Sequence, residues 1–520
     1  MLLVLLKINL GYFVKSKSSS SYSVLKHPYS LLLYVSLATS LVTIDLGVVS
    51  VALPHMLGTF STTFNEISWI LTLYTITTAL TIPALGFLAK IFGRKKVFLL
   101  GIIGFTLMSM LSGLSYSFEQ IIFCRSLQGI FSAPLVAMSQ AIILDAFDEK
   151  NRGKAMSLWT FGLLLGPILG PLAGGYLTGH FGWRWIFFIN LPIGLIAAIG
   201  IINVMKEDLV KLKQKIDFFG LLFLGTAAGS LQIFLDRGEI SGWFDSNLIK
   251  TLLIVSVIFA ILFLTRNITA KFPLIPKLLF KDRSYIFGLI FVFLFGIILV
   301  PPFILIPPML TDLGGFPVED IGYAIAPSGL GGMLGSILAG RLITGGAYRT
   351  IMFIALILYS FSAMYMATWT PSVSMEEIII NGFIRGMGIG MFYVPLATAT
   401  YLTLPINLRN EGTSLFQFIR NFGSGLTVAF MATTLSRFSE INTKQLNTLI
   451  IKGGSHWDYL RSINHEANNL LDPIVVFSTA VQHQSLMTAF GNNFILMGVI
   501  PLLFLPLLYF FHPKQTKIHS

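Results

Sequence analysis

Thr43-Ile44-Asp45-Leu46-Gly47-Val48-Val49-Ser50-Val51-Ala52-Leu53-Pro54 sets a carboxylate in the middle of an apolar run that reaches from about residue 31 to residue 56. The run is long enough for a membrane helix, which needs roughly 20 residues to cross about 30 Å of hydrocarbon. Composition decides that lipid is the solvent. Over 520 residues, 54% are apolar and 11% charged, against roughly 25% charged in soluble domains. The mean hydropathy is +0.79. A surface so poor in charge excludes three or four water-soluble domains. An aspartate at the centre of a membrane helix costs about 2.5–3.5 kcal/mol. Acids at such depth usually face an internal cavity and mark a proton or substrate path. The other reading of Asp45 is a salt-bridged or cavity-facing carboxylate with no transport role.

Working outward, thirteen further apolar runs follow: 68–89, 97–116, 120–143, 155–178, 183–205, 217–235, 247–265, 285–310, 321–340, 350–369, 377–400, 412–436 and 490–511. Fourteen spans predict an all-α polytopic membrane protein. Lysine and arginine set the direction, because cytoplasmic loops hold the excess of positive residues. With the N-terminus inside, cytoplasmic segments carry 25 of the 35 positives and outer segments seven; Arg125, Arg385 and Arg420 remain within spans. Both termini are therefore expected in the cytoplasm. The formal net charge of +12 follows from topology and from anionic lipid headgroups, and no nucleic-acid partner is expected. The division expected is a tail over 1–29, a six-helix bundle over 30–206, two inserted helices over 207–283, a second six-helix bundle over 284–511 and a tail over 512–520. A long extracytoplasmic loop is expected over 437–489.

A weak internal echo supports the two bundles. Gly86, Leu88 and Lys95 between spans 2 and 3 match the spacing of Gly340, Leu342 and Arg349 between spans 10 and 11. Transporters commonly carry such repeats, with the substrate site near the midplane between halves.

Few polar residues sit where lipid should be. Arg125 begins Arg125-Ser126-Leu127-Gln128-Gly129 in the outer half of span 4, at a depth Asp45 can reach. A guanidinium keeps its proton, so Arg125 can bias a nearby carboxylate or hold an anion; the plainer alternative is a structural clamp. Arg385, Arg420 and Asn421 are the second-half candidates for the substrate cavity, with Gln128 from the first half; either arginine could instead bridge helices. No histidine lies mid-span, which argues against a histidine relay. Span 5 carries Gly162, Gly166, Gly170 and Gly174 at four-residue spacing, with Pro167 and Pro171. Glycines four apart share one helix face and permit close helix contact; the prolines break backbone bonds and bend the helix. The seam is either static packing or a place where helices rock. A single cysteine, Cys124, excludes disulfides and cysteine-based metal sites, and no metal is expected.

These motifs together resemble the major facilitator superfamily, in particular the fourteen-span drug:proton antiporters of the EmrB/QacA type. Ile44–Pro54 is similar to the family's span 1 motif, Gly86–Lys96 with Gly93 and Arg94 to its loop motif, and Arg125–Gly129 to its span 4 motif. Gly162–Gly175 is similar to the antiporter motif, Trp183–Pro192 to the start of span 6, and Leu235–Phe244 to the span 7–8 loop. Span 13 and its approach, from Leu404 to Gly423, also look EmrB-like. The resemblance covers roughly residues 30–511. It implies two rocking bundles, proton entry driving substrate exit with no cofactor beyond the proton gradient, and multidrug efflux from an inner membrane. Asp45 would be the protonation site with Arg125 as its partner, and the span 5 glycines a gate-like interface. EmrB-type pumps work with a periplasmic adaptor and an outer-membrane channel, which would be partners here. The chain departs at Lys90, where the loop motif usually has an acid that latches the bundles.

Span 10 has no acid within it, so the membrane inventory is one aspartate against three arginines. That balance disfavours doubly cationic substrates and favours neutral or weakly acidic amphiphiles. A membrane-embedded enzyme would need catalytic groups at the lipid border; no H-E-x-x-H, acid cluster or Ser/His/Asp set is present, so no enzyme is expected. Export of one metabolite, such as a siderophore, and facilitation without proton coupling are the rival readings on the same scaffold.

Overall fold

The computed structural model describes residues 28–206, 217–343, 346–402, 404–405, 408–448 and 473–511. The expected terminal tails, apart from residues 28–29, and residues 207–216 and 449–472 lie outside the described residues. Every regular element among those described is helical. The first bundle comprises α1 (Pro28–Phe60), α2 (Trp69–Phe92), α3 (Arg94–Gly113), α4 (Phe118–Ala146), α5 (Glu149–Phe181) and α6 (Trp185–Val204). The inserted pair is α7 (Phe218–Gly238) and α8 (Asn247–Thr269). The second bundle is α9 (Arg283–Leu313), α10 (Val318–Leu342), α11 (Tyr348–Met366), α12 (Met375–Leu402), α13 (Arg409–Thr448) and α14 (Pro473–Leu503). The fourteen-helix, two-bundle architecture expected from the sequence is the one observed.

Length and apolarity qualify twelve helices as spans; α5, bent by 42° near Pro171, is the thirteenth. The fourteenth, α13, is more polar, because it carries Arg409, Glu411, Arg420, Arg437, Glu440 and Lys444 along its 40 residues. It is nonetheless packed between α9 and α14. The expected loop 437–489 is shorter than the apolar runs suggested: α13 continues to Thr448 and α14 begins at Pro473. Helical backbone can run past the membrane wherever its side chains meet water, and apolarity marks only the part inside lipid. Prolines explain the local breaks. α2 tightens to a 3₁₀ turn over Ile82–Ala84 around Pro83. α9 is interrupted at Pro301-Pro302 and ends in a π turn after Pro307-Pro308, where missing N–H groups remove the i→i−4 bonds.

α7 and α8 pack on each other, and α7 packs on both bundles. Its Gly229 faces Ile76 and Leu80 of α2, while its Gln232 lies over Gly425 of α13. The inserted pair therefore covers the line where the two halves meet.

The span 5 glycines join α5 to α1 within the first half. A methyl group on Gly162 would sit 2.6 Å from the Ser36 carbonyl oxygen, one on Gly170 2.6 Å from Gly47 Cα, and one on Gly174 3.0 Å from the Val48 carbonyl; on Gly166 it would collide with the Thr43 carbonyl. Thr43 Oγ1 donates to the Gly162 carbonyl at 3.2 Å. The side chains of Pro167 and Pro171 are outside the described residues. The interface between halves runs along another face of α5. There the glycines belong to α10: Gly322 meets Leu172, Gly332 meets Leu164 and Gly340 meets Ser157.

Gly166→Ala is expected to lower the apparent melting temperature in detergent by several degrees, an overpacking cost of about 1–3 kcal/mol. Gly175→Ala, on the same helix with nothing within 4 Å of the added methyl, is expected to be neutral or slightly stabilising; melting curves of the two variants side by side check both.

Candidate functional site

Asp45 and Arg125 are both fully buried. Arg125 Nη1 donates to Asp45 Oδ2 at 2.6 Å. The second carboxylate oxygen accepts from Gln128 Nε2 at 3.1 Å and from Asn190 Nδ2 at 2.9 Å. Gln128 closes the circuit by accepting from Arg125 Nη1 at 2.7 Å. Arg125 and Gln128 are three residues apart on α4 and so share a face. Asn190 enters from α6 and also donates to Ser109 Oγ of α3 at 3.0 Å. Tyr74 of α2 covers the guanidinium, its ring centre 4.4 Å from the arginine carbon, and Phe187 lies on another side at 5.7 Å. Five helices of the first bundle thus converge on one ion pair. A lone charge in a low-dielectric interior costs several kcal/mol, and only a partner with further hydrogen bonds repays it.

Arg125 Nε and Nη2, Asn190 Oδ1 and the Tyr74 hydroxyl make no hydrogen bond. The pair is sealed within the first bundle and does not face the space between halves in this structure. The sequence brought forward Asp45, Arg125 and Gln128, and the fold joins these three. It did not single out Asn190 or Ser109. The available signal was an amide inside an apolar segment, Phe187-Phe188-Ile189-Asn190-Leu191-Pro192, where a polar group needs a partner.

A second set of charged residues gathers at the end of the bundle that carries Lys90–Lys96 and Arg152. Asp145 at the end of α4 takes Arg94 of α3 on one carboxylate oxygen and Arg409 of α13 on the other. Lys90 of α2 pairs with Glu411 of α13. Gly86, one turn before Lys90, leaves the room that Glu411 occupies, since its added methyl would sit 2.7 Å from Glu411 Cγ. Gly93 turns the chain between α2 and α3 with φ +86°, a conformation side chains disfavour. Deeper in, Gln140 of α4 donates to the Tyr393 hydroxyl of α12 at 2.7 Å, and Tyr401 donates back to Gln140 Oε1 at 2.9 Å. Trp159 of α5 stacks on Tyr393. These contacts tie the halves together at one end. α1 and α9 share no extended contact, and Ser50 and Pro54 of α1 are exposed.

The inverted charge at position 90 is therefore matched by an acid on the partner helix. Each glycine of the loop echo also meets the fifth helix of the other half: Gly86 meets α13 and Gly340 meets α5.

Of the second-half candidates, Arg385 is buried within its own bundle, its Nη1 3.1 Å from Met366 Sδ and its Nε without a partner. Arg420 and Asn421 are partly exposed and bonded to each other, Nη2 donating to Oδ1 at 3.1 Å. The structure does not bring Gln128 or Arg385 to Arg420. The described residues contain no group of three or more histidine, cysteine or acidic side chains placed to hold a metal ion.

Two six-helix bundles with an inserted helix pair, the halves tied at one end by polar contacts, are the architecture of a membrane transporter. A Major Facilitator Superfamily profile matches residues 35–428. The Multidrug export protein EmrB of Haemophilus influenzae is 31% identical over 421 residues, 80% of this chain and 81% of its own length. The Fatty acid resistance protein FarB of Neisseria gonorrhoeae is 29% identical over 406 residues, 78% of this chain and 80% of its own. The fold is shared with the crystal structure of human MFSD10 (TETRAN), TM-score 0.58 at 14% identity, covering 91% of this chain and 99% of that one. The chain belongs to the major facilitator superfamily, in its EmrB-like branch.

Two measurements probe these contacts. Arg125→Leu leaves Asp45 without its counter-ion and is expected to cost about 3–5 kcal/mol, much of it recovered when Asp45→Asn is added; unfolding midpoints of the two single variants and the double variant give the coupling. Lys90→Glu is expected to loosen the closed end by setting two acids together, and Lys90→Glu with Glu411→Lys to restore it. Spin labels at the exposed positions 92 and 342 would read a longer, broader distance for the single change and the original distance for the pair.

Proposed function

We propose that this chain is a proton-coupled antiporter of the inner membrane that exports hydrophobic and amphiphilic small molecules by alternating access. The observation that carries the reading is the sealed Asp45–Arg125 pair on α1 and α4. A proton added to Asp45 removes the negative half of a neutral pair and leaves a guanidinium charge in the bundle interior, a change worth several kcal/mol. Such a difference can bias which way the bundle opens. The names of the relatives, multidrug export for EmrB and fatty acid resistance for FarB, favour apolar or singly acidic substrates. The excess of arginine over acid among the buried residues favours the same class.

The loop charges support both termini in the cytoplasm. On that orientation the end tied by polar contacts is cytoplasmic. EmrB-type likeness extends the proposal to a periplasmic adaptor and an outer-membrane channel as partners. A second reading has one observation in its favour. Because Asp45 is wholly enclosed, the pair can be a static brace between α1 and α4 in a facilitator without proton coupling.

Transport in proteoliposomes under an imposed pH gradient separates the two. Asp45→Asn is expected to abolish gradient-driven accumulation while the protein still inserts and binds ligand. Uphill transport undiminished in that variant would leave the brace.

A further inference from the structure

α13 approaches α9 very closely where Gly296 and Gly423 remove the side chains between them. A methyl on Gly423 would sit 2.5 Å from the Phe293 carbonyl, and Ser424 Oγ donates to the Gly296 carbonyl at 3.3 Å. That contact fixes the turn of α13 holding Gln417, Arg420 and Asn421. Residues 417 and 420 are three apart and share a face. The Arg420 guanidinium lies beside the Tyr393 hydroxyl, in the layer where Gln140 crosses between halves. Its Nη1 is buried and makes no hydrogen bond, and the fully buried Gln417 leaves Oε1 without a donor. Among the described residues no acid forms an ion pair with Arg420; its side-chain neighbours are the neutral oxygens of Asn421 and Tyr393. Phe293 and Phe422 pack on each other across the α9–α13 contact, ring centres 6.1 Å apart, with Phe293 against Gly423. A permanent cation, a neutral amide and a phenol thus meet at the level where the polar closure between halves begins, within one turn of the aromatic pair along α13.

We propose that Arg420, supported by Asn421 and Tyr393, binds the carboxylate head of an amphiphilic organic acid whose apolar body lies along Phe293 and Phe422. A guanidinium accepts a carboxylate through two parallel N–H···O bonds. An ion pair is worth most where water is partly excluded. Asn421 and Tyr393 orient the guanidinium, and the unpartnered Gln417 Oε1 accepts from a protonated acid or from bound water. The proposal rests on the exporter reading for its biological sense, but recognition at Arg420 needs neither Asp45 nor a gradient.

The test is equilibrium binding to purified full-length protein in nanodiscs of uncharged lipid at neutral pH, read by intrinsic tryptophan fluorescence. Dodecanoate, dodecanol and dodecyltrimethylammonium share a chain and differ in head charge. The wild type is expected to bind dodecanoate about tenfold or more tighter than dodecanol, and the cation most weakly. Arg420→Gln is expected to bring dodecanoate down to the level of dodecanol, and Arg420→Lys to keep most of the preference. A preference that survives Arg420→Gln, or a wild type indifferent to the head group, overturns the proposal. Should Arg420→Gln fail to fold, Arg420→Lys combined with Asn421→Leu takes its place, with a preference reduced at least several-fold in support and a full preference against. Asp45→Asn measured alongside separates the two readings: it is expected to retain the dodecanoate preference, so lost coupling with intact recognition, or the reverse, assigns failure to one site.

Discussion

A charge cannot be left alone in a bilayer-embedded bundle, and that rule organises the first half of this protein. Asp45 and Arg125 face each other out of reach of bulk solvent, so both carboxylate oxygens take their donors from neighbouring helices. Gln128 lies one turn below Arg125 on α4; Asn190 and Ser109 come from α6 and α3. The glycine seam of α5 belongs to the same arrangement. Thr43 and Gly47, two residues either side of Asp45, are the positions on which Gly166 and Gly170 press. α1 is therefore held on one face by ionic contact and on another by backbone-to-backbone packing.

The second organising element is a duplication with unequal chemistry. In both halves the second helix presents a glycine to the fifth helix of the other half. At Gly86 the vacancy admits Glu411 and an ion pair with Lys90; at Gly340 it admits Ser157. One contact is electrostatic and the other steric. The same inequality holds at the fourth helix of each half. Arg125 has its carboxylate, whereas Arg385 has a methionine sulfur and an unpartnered Nε.

Much of this was legible in the sequence. Apolar run length gave twelve helices close to their observed ends, and the cost of burying charge drew attention to Asp45, Arg125 and Arg420. What was not legible depended on neighbours far apart in the chain. The helical extension past 436 is polar, so a reading based on apolarity ends too early there; the one before 490 is apolar at 473–480 but is separated from the last run by Gln482-His483-Gln484. The match between Lys90 and Glu411 spans more than 300 residues, and a lysine at an acid's usual position reads as a defect until its partner is known. The glycines of α10 are unevenly spaced, so no single-face pattern marked them, although they line the contact between halves.

Cys124 is the one thiol in the chain, buried on α4 immediately before Arg125. The sulfur therefore sits in the same helical turn as the guanidinium, on a backbone whose position the ion pair constrains. Chemistry directed at sulfhydryls has a single natural address in this molecule. Its reaction rate is a clock for how often the wall behind the pair breathes, requiring neither a label elsewhere nor a cysteine-free background.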